Sequence, residues 1–423
     1  MKTKYLFISF IILISLLFTS CSFGASVEEL LVAPSLSDNQ KAVLSALEKE
    51  HPNRITFVYP LSGSNRSAIQ KYDLDSDGLD EIIAFYKDNS EGLNAYISIL
   101  EKEDDMSYSV VSTMEGFGDG INSVFYLDSL VAENALLVEW KSPSKSSNTI
   151  SAYTYIDNNL EIGFEENSLD MLVMDFDDDA TAEFCYIVPA SLETGFSLKY
   201  VQSTDTTIFS RSQFNLSNDT LEIISLSSGM LANNRKAIFI DESTKEGLQT
   251  EIFRLSEDNS RLQRVEIDGG LDLLKLSLRP DDSRLKSRDF EGVTCFPSSV
   301  SPNKDVLFPD MWIYWYSMDE TAVVLERVSY FSEDMGCLLS LPVSWLTECS
   351  VNEISDNEVE IINNVNNTRL LSLVMLSVDD DVMSYVTNGY YLIGTTGTFR
   401  YYISVAAEPE EENMIRESFV VFD

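Results

Sequence analysis

The feature that most constrains the fold of this chain is an internal repeat. The stretch EIIAFYKDNSEGLNAYISIL, residues 81–100, aligns without an insertion with KAIFIDESTKEGLQTEIFRL, residues 236–255. Weaker copies occupy residues 135–156 and 183–201. Each copy contains apolar runs separated by a polar gap, which is typical of antiparallel strands joined by turns. A chain made of such repeats buries its apolar residues by stacking each unit on the next.

The repeat predicts a mainly β fold. Each unit holds about four strand-like runs in roughly fifty residues, and four antiparallel strands per repeat are typical of a propeller blade. We therefore expect a β-propeller-like array of four-stranded blades over residues 55–340. Its units begin near residues 65, 120, 167 and 220, and a fifth, degraded unit occupies about 268–340.

The two ends of the chain have a different pattern. Residues 21–54 predict a tether and an N-terminal helix, in which Ser37 and Gln40 form a capping box. Residues 341–423 contain longer strand-like runs and two short helical stretches. This mixture predicts a small C-terminal α+β domain.

An acidic loop lies near the start of the first repeat, in the sequence DLDSDGLDE. It matches D-x-D-x-D-G-x-x-[DE], in which alternate residues of a tight turn aim oxygen atoms at one point, and Ca²⁺ prefers roughly six to eight such ligands. An EF-hand would also need a carboxylate where Ala84 stands, so the pattern indicates a calcium site in a β-loop. The predicted ligands are the side chains of Asp73, Asp75, Asp77 and Glu81 and the carbonyl of Leu79.

A second loop with the same spacing follows in the third repeat, in the sequence DFDDDATAE. Ala180 replaces the turn glycine, which weakens this site if the position has a left-handed backbone. For both loops the alternative is a solvated acidic turn without a metal ion. The predicted ligands of the second loop are Asp175, Asp177, Asp179, Thr181 and Glu183.

The net charge of -40 limits the partners of the protein. Such a charge repels nucleic acid and anionic membrane surfaces, and the sequence has no basic stripe to offset the repulsion. Cations are the natural counterpart. We expect an extracellular protein or glycan of unknown identity as the partner, and no nucleic acid.

The first twenty residues have the pattern of a secretory signal. Two lysines precede an apolar run, residues 5–18, that is too short to span a bilayer. Two small residues then precede Cys21, as in bacterial lipoproteins, although Phe18 replaces the usual leucine. The pattern predicts a signal peptide over residues 1–20 and a lipid on Cys21 that anchors the protein to the outer face of the bacterial cell membrane. An ordinary secretory signal is the alternative.

The remaining cysteines and the single histidine argue against common catalytic centres. The four cysteines are widely spaced and form no C-x-x-C pair, so we expect buried thiols, with a Cys337–Cys349 bridge as the alternative. His51 lies beside a proline, which favours a surface or capping role over Ser-His chemistry. The aromatic run MWIYWYSMDE, residues 311–320, predicts core packing, with a stacking platform for sugars as the alternative.

Several of these segments resemble a known family. The motif DLDSDGLDEII, the blade-like repeat, the opening SVEELLVAPSLSDNQ and the segment YPLSGSNRSAI resemble the FG-GAP or VCBS-type repeat lipoproteins of Gram-positive anaerobic bacteria. The resemblance covers roughly residues 26–300. It implies a surface lipoprotein with an integrin-like propeller and calcium loops, but it implies no reaction.

These observations predict a function class. We expect a surface-anchored, calcium-stabilised β-propeller that serves as a binding or scaffold lipoprotein without catalytic activity. The alternative is an extracellular carbohydrate-active hydrolase that uses a pair of carboxylates, since the sequence contains 69 acidic residues from which such a pair could come.

The lipid anchor leads to a direct test. Metabolic labelling of cells that express the protein with radioactive palmitate should label the wild-type chain, because the acyl chains are attached through the Cys21 thiol. The variant Cys21→Ala should lose the label. Label that persists in this variant would show that the anchor is not at Cys21.

Overall fold

The computed structural model describes most of the chain beyond the N-terminal segment. The described residues are 37–52, 54–89, 92, 94–103, 107–127, 134–141, 146–189, 195–204, 207–259, 261–267, 270–300, 312–319, 321–345 and 348–422. The predicted signal peptide and Cys21 lie outside them. None of the helices in this part of the chain has the length and apolar character that a membrane span requires.

Antiparallel sheets, named A to F in chain order, contain nearly all the regular structure of the described residues. Sheet A contains β1 (Ile55–Phe57), β2 (Ile69–Tyr72), β3 (Glu81–Asp88), β4 (Ala95–Lys102) and β5 (Tyr108–Glu115). Sheet B contains β6 (Gly120–Leu127), β7 (Ala135–Lys141), β8 (Asn148–Ile156) and β9 (Asn159–Ser168). Sheet C contains β10 (Asp170–Met174), β11 (Glu183–Pro189), β12 (Phe196–Thr204) and β13 (Thr207–Asn215).

The next two sheets complete the series. Sheet D contains β14 (Glu222–Met230), β15 (Lys236–Thr244), β16 (Gly247–Leu255) and β17 (Leu262–Arg264). Sheet E contains β18 (Arg288–Phe290), β19 (Val293–Ser298), β20 (Trp312–Met318), β21 (Val323–Ser332), β22 (Cys337–Leu341) and the late strand β28 (Val420–Val421). Sheets B, C and D each have four strands in sequential order, so each is a simple meander. In sheet A, the short strands β1 and β2 both pair with β3.

The C-terminal part mixes strands and helices. Sheet F contains β23 (Cys349–Ser355), β24 (Glu358–Asn363), β25 (Thr368–Ser377), β26 (Tyr391–Thr395) and β27 (Phe399–Val405). The helices are α1 (Asp38–Glu50), α2 (Leu273–Leu276), α3 (Met383–Thr387) and α4 (Pro409–Glu417), and a 3₁₀ turn covers Val343–Trp345. The chain is therefore mainly β, with several four-stranded antiparallel sheets. The division into domains at residues 55 and 341 stays a prediction.

Successive sheets pack face to face, because sheets A to D each contain a strand that is buried on both faces along most of its length. These strands are β3, β7, β11 and β15. In β3, Ile83 and Phe85 pack in one core with Val138 of sheet B. Sheets B and C share a second core, which contains Leu137 and Tyr186. Sheets C and D share a third, and sheet D packs with sheets E and F in the largest core. The unbroken apolar runs of the sequence are the consequence, since strands buried on both faces have no polar alternation.

Helix α1 covers the outer face of sheet A. Its capping box is present, because Ser37 accepts a hydrogen bond from the Gln40 N–H and the Gln40 side chain accepts one from the Ser37 N–H. Leu47 packs with Tyr86 of β3 in a separate core. His51 is the C-cap residue, and its Nδ1 lies 2.6 Å from an oxygen of the buried Asp88. The expected capping role of the histidine is therefore confirmed.

The cysteines and the aromatic strand have core positions. All four described cysteines are free and buried, so the alternative of a Cys337–Cys349 bridge is wrong. Burial also accounts for the aromatic run in β20, because Trp312, Tyr314 and Trp315 are each no more than 2% exposed. These rings pack inside the molecule and are not a platform for sugars.

Candidate metal centres

The two acidic loops occupy equivalent places in two sheets. The first loop joins β2 to β3 in sheet A, and the second joins β10 to β11 in sheet C. In each sheet the loop ends at a glutamate, Glu81 or Glu183, that is the first residue of the strand after the loop, β3 or β11. Both glutamates are buried. The shared spacing in the sequence thus produces a shared position in the fold.

In the first loop, three carboxylates converge. Asp73, Asp75 and Glu81 each offer an oxygen atom, and these atoms all lie within 4.8 Å of one another. The Leu74 N–H donates a hydrogen bond of 2.7 Å to Glu81 Oε2, which holds the buried side chain toward the loop. Three oxygen ligands at one point match the preference of a hard cation. The cluster could therefore hold a metal ion.

Backbone amides shape this first loop. The two oxygens of Asp73 accept hydrogen bonds from the N–H groups of Asp77 and Gly78. The carboxylate of Asp77 turns to the Leu79 N–H at 2.7 Å and is not part of the three-carboxylate cluster. Of the predicted side-chain ligands, the structure thus brings together Asp73, Asp75 and Glu81. A role for Asp77 and for the carbonyl of Leu79 stays a prediction.

The second loop repeats this arrangement. Asp175, Asp177 and Glu183 form the corresponding cluster within 4.8 Å, and the Phe176 N–H donates to Glu183 Oε2 at 2.8 Å. Asp179 accepts the Thr181 N–H at 2.7 Å and lies outside the cluster, as its counterpart does in the first loop. The structure therefore offers two clusters of the same design among its described residues.

The convergence of charge is visible in the pKa of the two buried glutamates. The pKa of Glu81 is raised to about 6, chiefly by burial and in addition by the charges of Asp75 and Asp73, while the hydrogen bond from the Leu74 N–H acts in the opposite direction. Burial raises the pKa of Glu183 to about 8, with the same opposition from a backbone N–H and the same support from neighbouring aspartates. A bound cation would relieve both penalties, because it attracts the charged form of each carboxylate.

The turn position differs between the loops. Gly78 has a φ of +90°, and Ala180, which replaces it, has a φ of +70°. An alanine with a left-handed backbone is strained by roughly 1 kcal/mol, because its Cβ approaches the following carbonyl oxygen. The backbone at Ala180 is therefore left-handed, which is the condition under which we expected the second loop to be the weaker metal site.

The sequence did not reveal which residues of the neighbouring sheet reach the loops. Asn134, just before β7 of sheet B, donates from Nδ2 to the Asp73 carbonyl at 2.7 Å. Lys236, the first residue of β15 in sheet D, donates from Nζ to the Asp175 carbonyl at 2.5 Å. The repeat alignment, which pairs residue 81 with residue 236, was the only available signal, and it says nothing about contacts between sheets.

A pair of buried carboxyl groups lies in sheet D, away from the loops. Burial and the adjacent Glu251 raise the pKa of Glu242, which accepts hydrogen bonds from Thr220 and Gln249. Glu251 forms an ion pair of 2.5 Å with Arg264. Glu251 and Arg264 also line a cavity of about 280 Å³. No motif marked this pair in the sequence, because its members meet only across β15 and β16.

Comparisons with known proteins identify no family for the chain. No family model and no curated protein match it. Among solved structures it is similar to rhamnogalacturonan lyase YesW (10% identity, 66% of this chain and 65% of the lyase, TM-score 0.24). It is also similar to the exotype rhamnogalacturonan lyase YesX (10% identity, 82% of this chain and 63% of the lyase, TM-score 0.25). A third similar structure is the Bacillus licheniformis rhamnogalacturonan lyase PL11 (11% identity, 66% of this chain and 61% of the lyase, TM-score 0.24). The chain spans less than two thirds of the length of each lyase.

These matches correct one expectation. The non-catalytic binding or scaffold function is wrong against the comparisons, because the solved structures they report are carbohydrate-active enzymes. The expectation rested on the lack of a short catalytic motif, which carries little weight because function depends on sites whose residues can converge only in space. TM-scores of 0.24 and 0.25 are too low to assign lyase activity to this chain.

The turn residues give a prediction for the two loops. Ala180→Gly should stabilise the protein by up to about 1 kcal/mol, because glycine adopts the observed φ without a Cβ clash. Gly78→Ala should destabilise it by a similar amount. Urea denaturation measures both changes in the free energy of unfolding. A loss of stability in Ala180→Gly would show that the left-handed turn does not strain the second loop.

Proposed function

We propose that this chain is an extracytoplasmic calcium-binding protein, lipid-anchored at Cys21, whose sheets form a propeller-like array. The observation that carries the proposal is the convergence of a buried glutamate with two aspartates at the same place in sheets A and C. All these ligand atoms are carboxylate oxygens, and none of the six residues is a histidine or cysteine. Such a donor set favours Ca²⁺ over softer metals.

The chemistry of the site supports a stabilising role for calcium. A bound ion supplies positive charge where three carboxylates otherwise repel one another. In the first loop the ion would be held by Asp73, Asp75 and Glu81. In the second loop the ligands would be Asp175, Asp177 and Glu183. Extracellular calcium sites have dissociation constants of about 10⁻⁴ to 10⁻³ M, so a site within this range would be filled at millimolar calcium outside the cell.

The packing of the sheets supports the propeller-like arrangement. Sheets B, C and D are four-stranded meanders, and each buries one face against the preceding sheet and the other against the next. First strands contact one another between sheets C and D, as expected when meanders are stacked around a common centre. The resemblance of the acidic loops to FG-GAP or VCBS-type repeats points in the same direction.

A carbohydrate-active enzyme is the second candidate. The observation that favours it is the pair Glu242–Glu251 beside the cavity that Glu251 and Arg264 line. A carboxyl group with a raised pKa, Glu242, next to a second carboxyl group is an arrangement used in acid-base catalysis. The two groups are in contact, which is closer than the roughly 5 Å of a retaining glycosidase, so the pair would have to separate for substrate to enter.

The calcium proposal predicts a change in thermal stability. At a calcium concentration of about ten times the dissociation constant, each site contributes about 1.4 kcal/mol of stability, because the ion binds the folded state alone. The melting temperature should therefore rise with calcium and fall with chelator. Asp75→Ala should remove the contribution of the first loop, since Asp75 is one of its three converging carboxylates.

The matched control is Asp80→Ala. Asp80 is an exposed acid of the same loop and lies outside the converging cluster, so its loss removes the same charge without a ligand. The control should keep the calcium response. A melting curve that ignores both calcium and chelator would refute the calcium proposal, and equal responses of the two variants would refute the assignment of Asp75.

The second candidate predicts turnover of polysaccharide. Purified protein would be incubated with cell-wall polysaccharides, rhamnogalacturonan among them, and assayed for new reducing ends and for unsaturated uronate. Glu251→Gln should lower any turnover by about a hundredfold or more, as expected for an acid-base residue. The control Glu139→Gln removes a buried glutamate of sheet B that is bonded to Asn122 and Ser123. Absence of turnover, or equal loss in both variants, would reject this candidate.

A further inference from the structure

The second acidic loop is in contact with a positively charged side chain from the next sheet. Lys236 Nζ lies 2.5 Å from Asp178 Oδ1, 3.7 Å from Asp175 Oδ1 and 2.5 Å from the Asp175 carbonyl oxygen. Asp175 is one of the three carboxylates that converge there. The lysine comes from sheet D, whereas the loop belongs to sheet C, so the ammonium group reaches across the sheet interface.

The first loop has the corresponding hydrogen bond from the next sheet, but its donor is uncharged. Asn134 from sheet B donates to the carbonyl of Asp73, which is the counterpart of Asp175. At the loop position of Asp178 the first loop has Ser76, and both residues have a left-handed backbone, with φ of 63° and 61°. In the second loop Asp178 and Lys236 thus stand in place of Ser76 and Asn134. The backbone at this loop position is the same in both loops.

We propose that Lys236 is the built-in counter-ion of the second loop and makes this loop a poor calcium site, so that the first loop is the one that calcium fills. The inference rests on the proposed calcium function. A divalent ion among Asp175, Asp177 and Glu183 would be repelled by the ammonium group only a few ångströms away. It would also compete with Lys236 for the charge of Asp175.

With this arrangement, the contact between sheets A and B would depend on calcium more than the contact between sheets C and D. Lys236 and Asn259, both from sheet D, hold the carbonyls of Asp175 and Asp177, so the contact between sheets C and D has a positive charge in place without a metal. The contact between sheets A and B has the neutral amide of Asn134 at this place. Calcium would therefore strengthen sheets A and B selectively.

Exchange of the two residue pairs tests the inference. The double variant Asp178→Ser with Lys236→Asn gives the second loop the residues of the first, and it leaves the net charge unchanged. Isothermal titration with calcium chloride should find one tight site in the wild-type chain and a second site in this variant, with at least about tenfold higher affinity than the second loop has in the wild type. The reverse exchange, Ser76→Asp with Asn134→Lys, should remove the tight site.

A single variant and a control protect the result from effects on folding. Lys236→Met removes the charge while keeping an unbranched side chain only one atom shorter, and it should lower the melting temperature in chelator, with recovery on addition of calcium. Lys275→Met removes an exposed lysine near Asp272 and should change neither value. Circular dichroism in chelator would establish that each variant is folded before titration.

The outcomes separate the two proposals. Two wild-type sites of equal affinity that Lys236→Met and both exchanges leave unchanged would overturn the role of Lys236 while the calcium function stands. If the wild-type chain and all folded variants bind no calcium, the calcium function itself fails, and this inference fails with it. One tight site that the first-loop exchange removes, together with a second site gained in the other exchange, would support both.

Discussion

The structure depends above all on the burial of both faces of its sheets. In β3 of sheet A and β7 of sheet B, six successive residues are buried, so neither face of these strands can be left in water. At about 25 cal/mol per Å² of apolar surface, an uncovered sheet face would cost far more than the few kcal/mol by which proteins are stable. Each sheet therefore needs a neighbour, and helix α1 supplies one for the outer face of sheet A.

Each acidic loop is in contact with the next sheet through a hydrogen bond. Each loop follows β2 or β10 and ends at a buried glutamate, and a residue of the next sheet donates a hydrogen bond to the carbonyl of the first aspartate of the loop. The charge of each loop therefore affects the contact between its sheet and the next one. In the loop of sheet C, Lys236 satisfies part of that charge, whereas in the loop of sheet A the corresponding contact is a neutral amide.

The correction of the scaffold function concerns what a sequence pattern can exclude. The single histidine and the lack of a C-x-x-C pair argue against specific kinds of chemistry, but carboxyl groups that cooperate across strands leave no short pattern. Glu242 and Glu251 illustrate this point, because they are nine residues apart on adjacent strands and meet only through the pairing of β15 with β16. Burial and the neighbouring Glu251, and not any sequence spacing, raise the pKa of Glu242.

The sequence by itself determined the class of the fold, the repeat and the composition of the acidic loops. Runs such as residues 82–86 and their copies are local signals, because strand formation and double-sided burial depend on consecutive residues. The tertiary structure alone decided which ligands converge, that Ala180 has a left-handed backbone, and that Lys236 enters a loop sixty residues before it. The convergence of the ligands and the backbone of Ala180 depend on how the flanking strands hold each loop. The contact of Lys236 joins segments distant in the chain and depends on how one sheet is placed on the next, which no local pattern encodes.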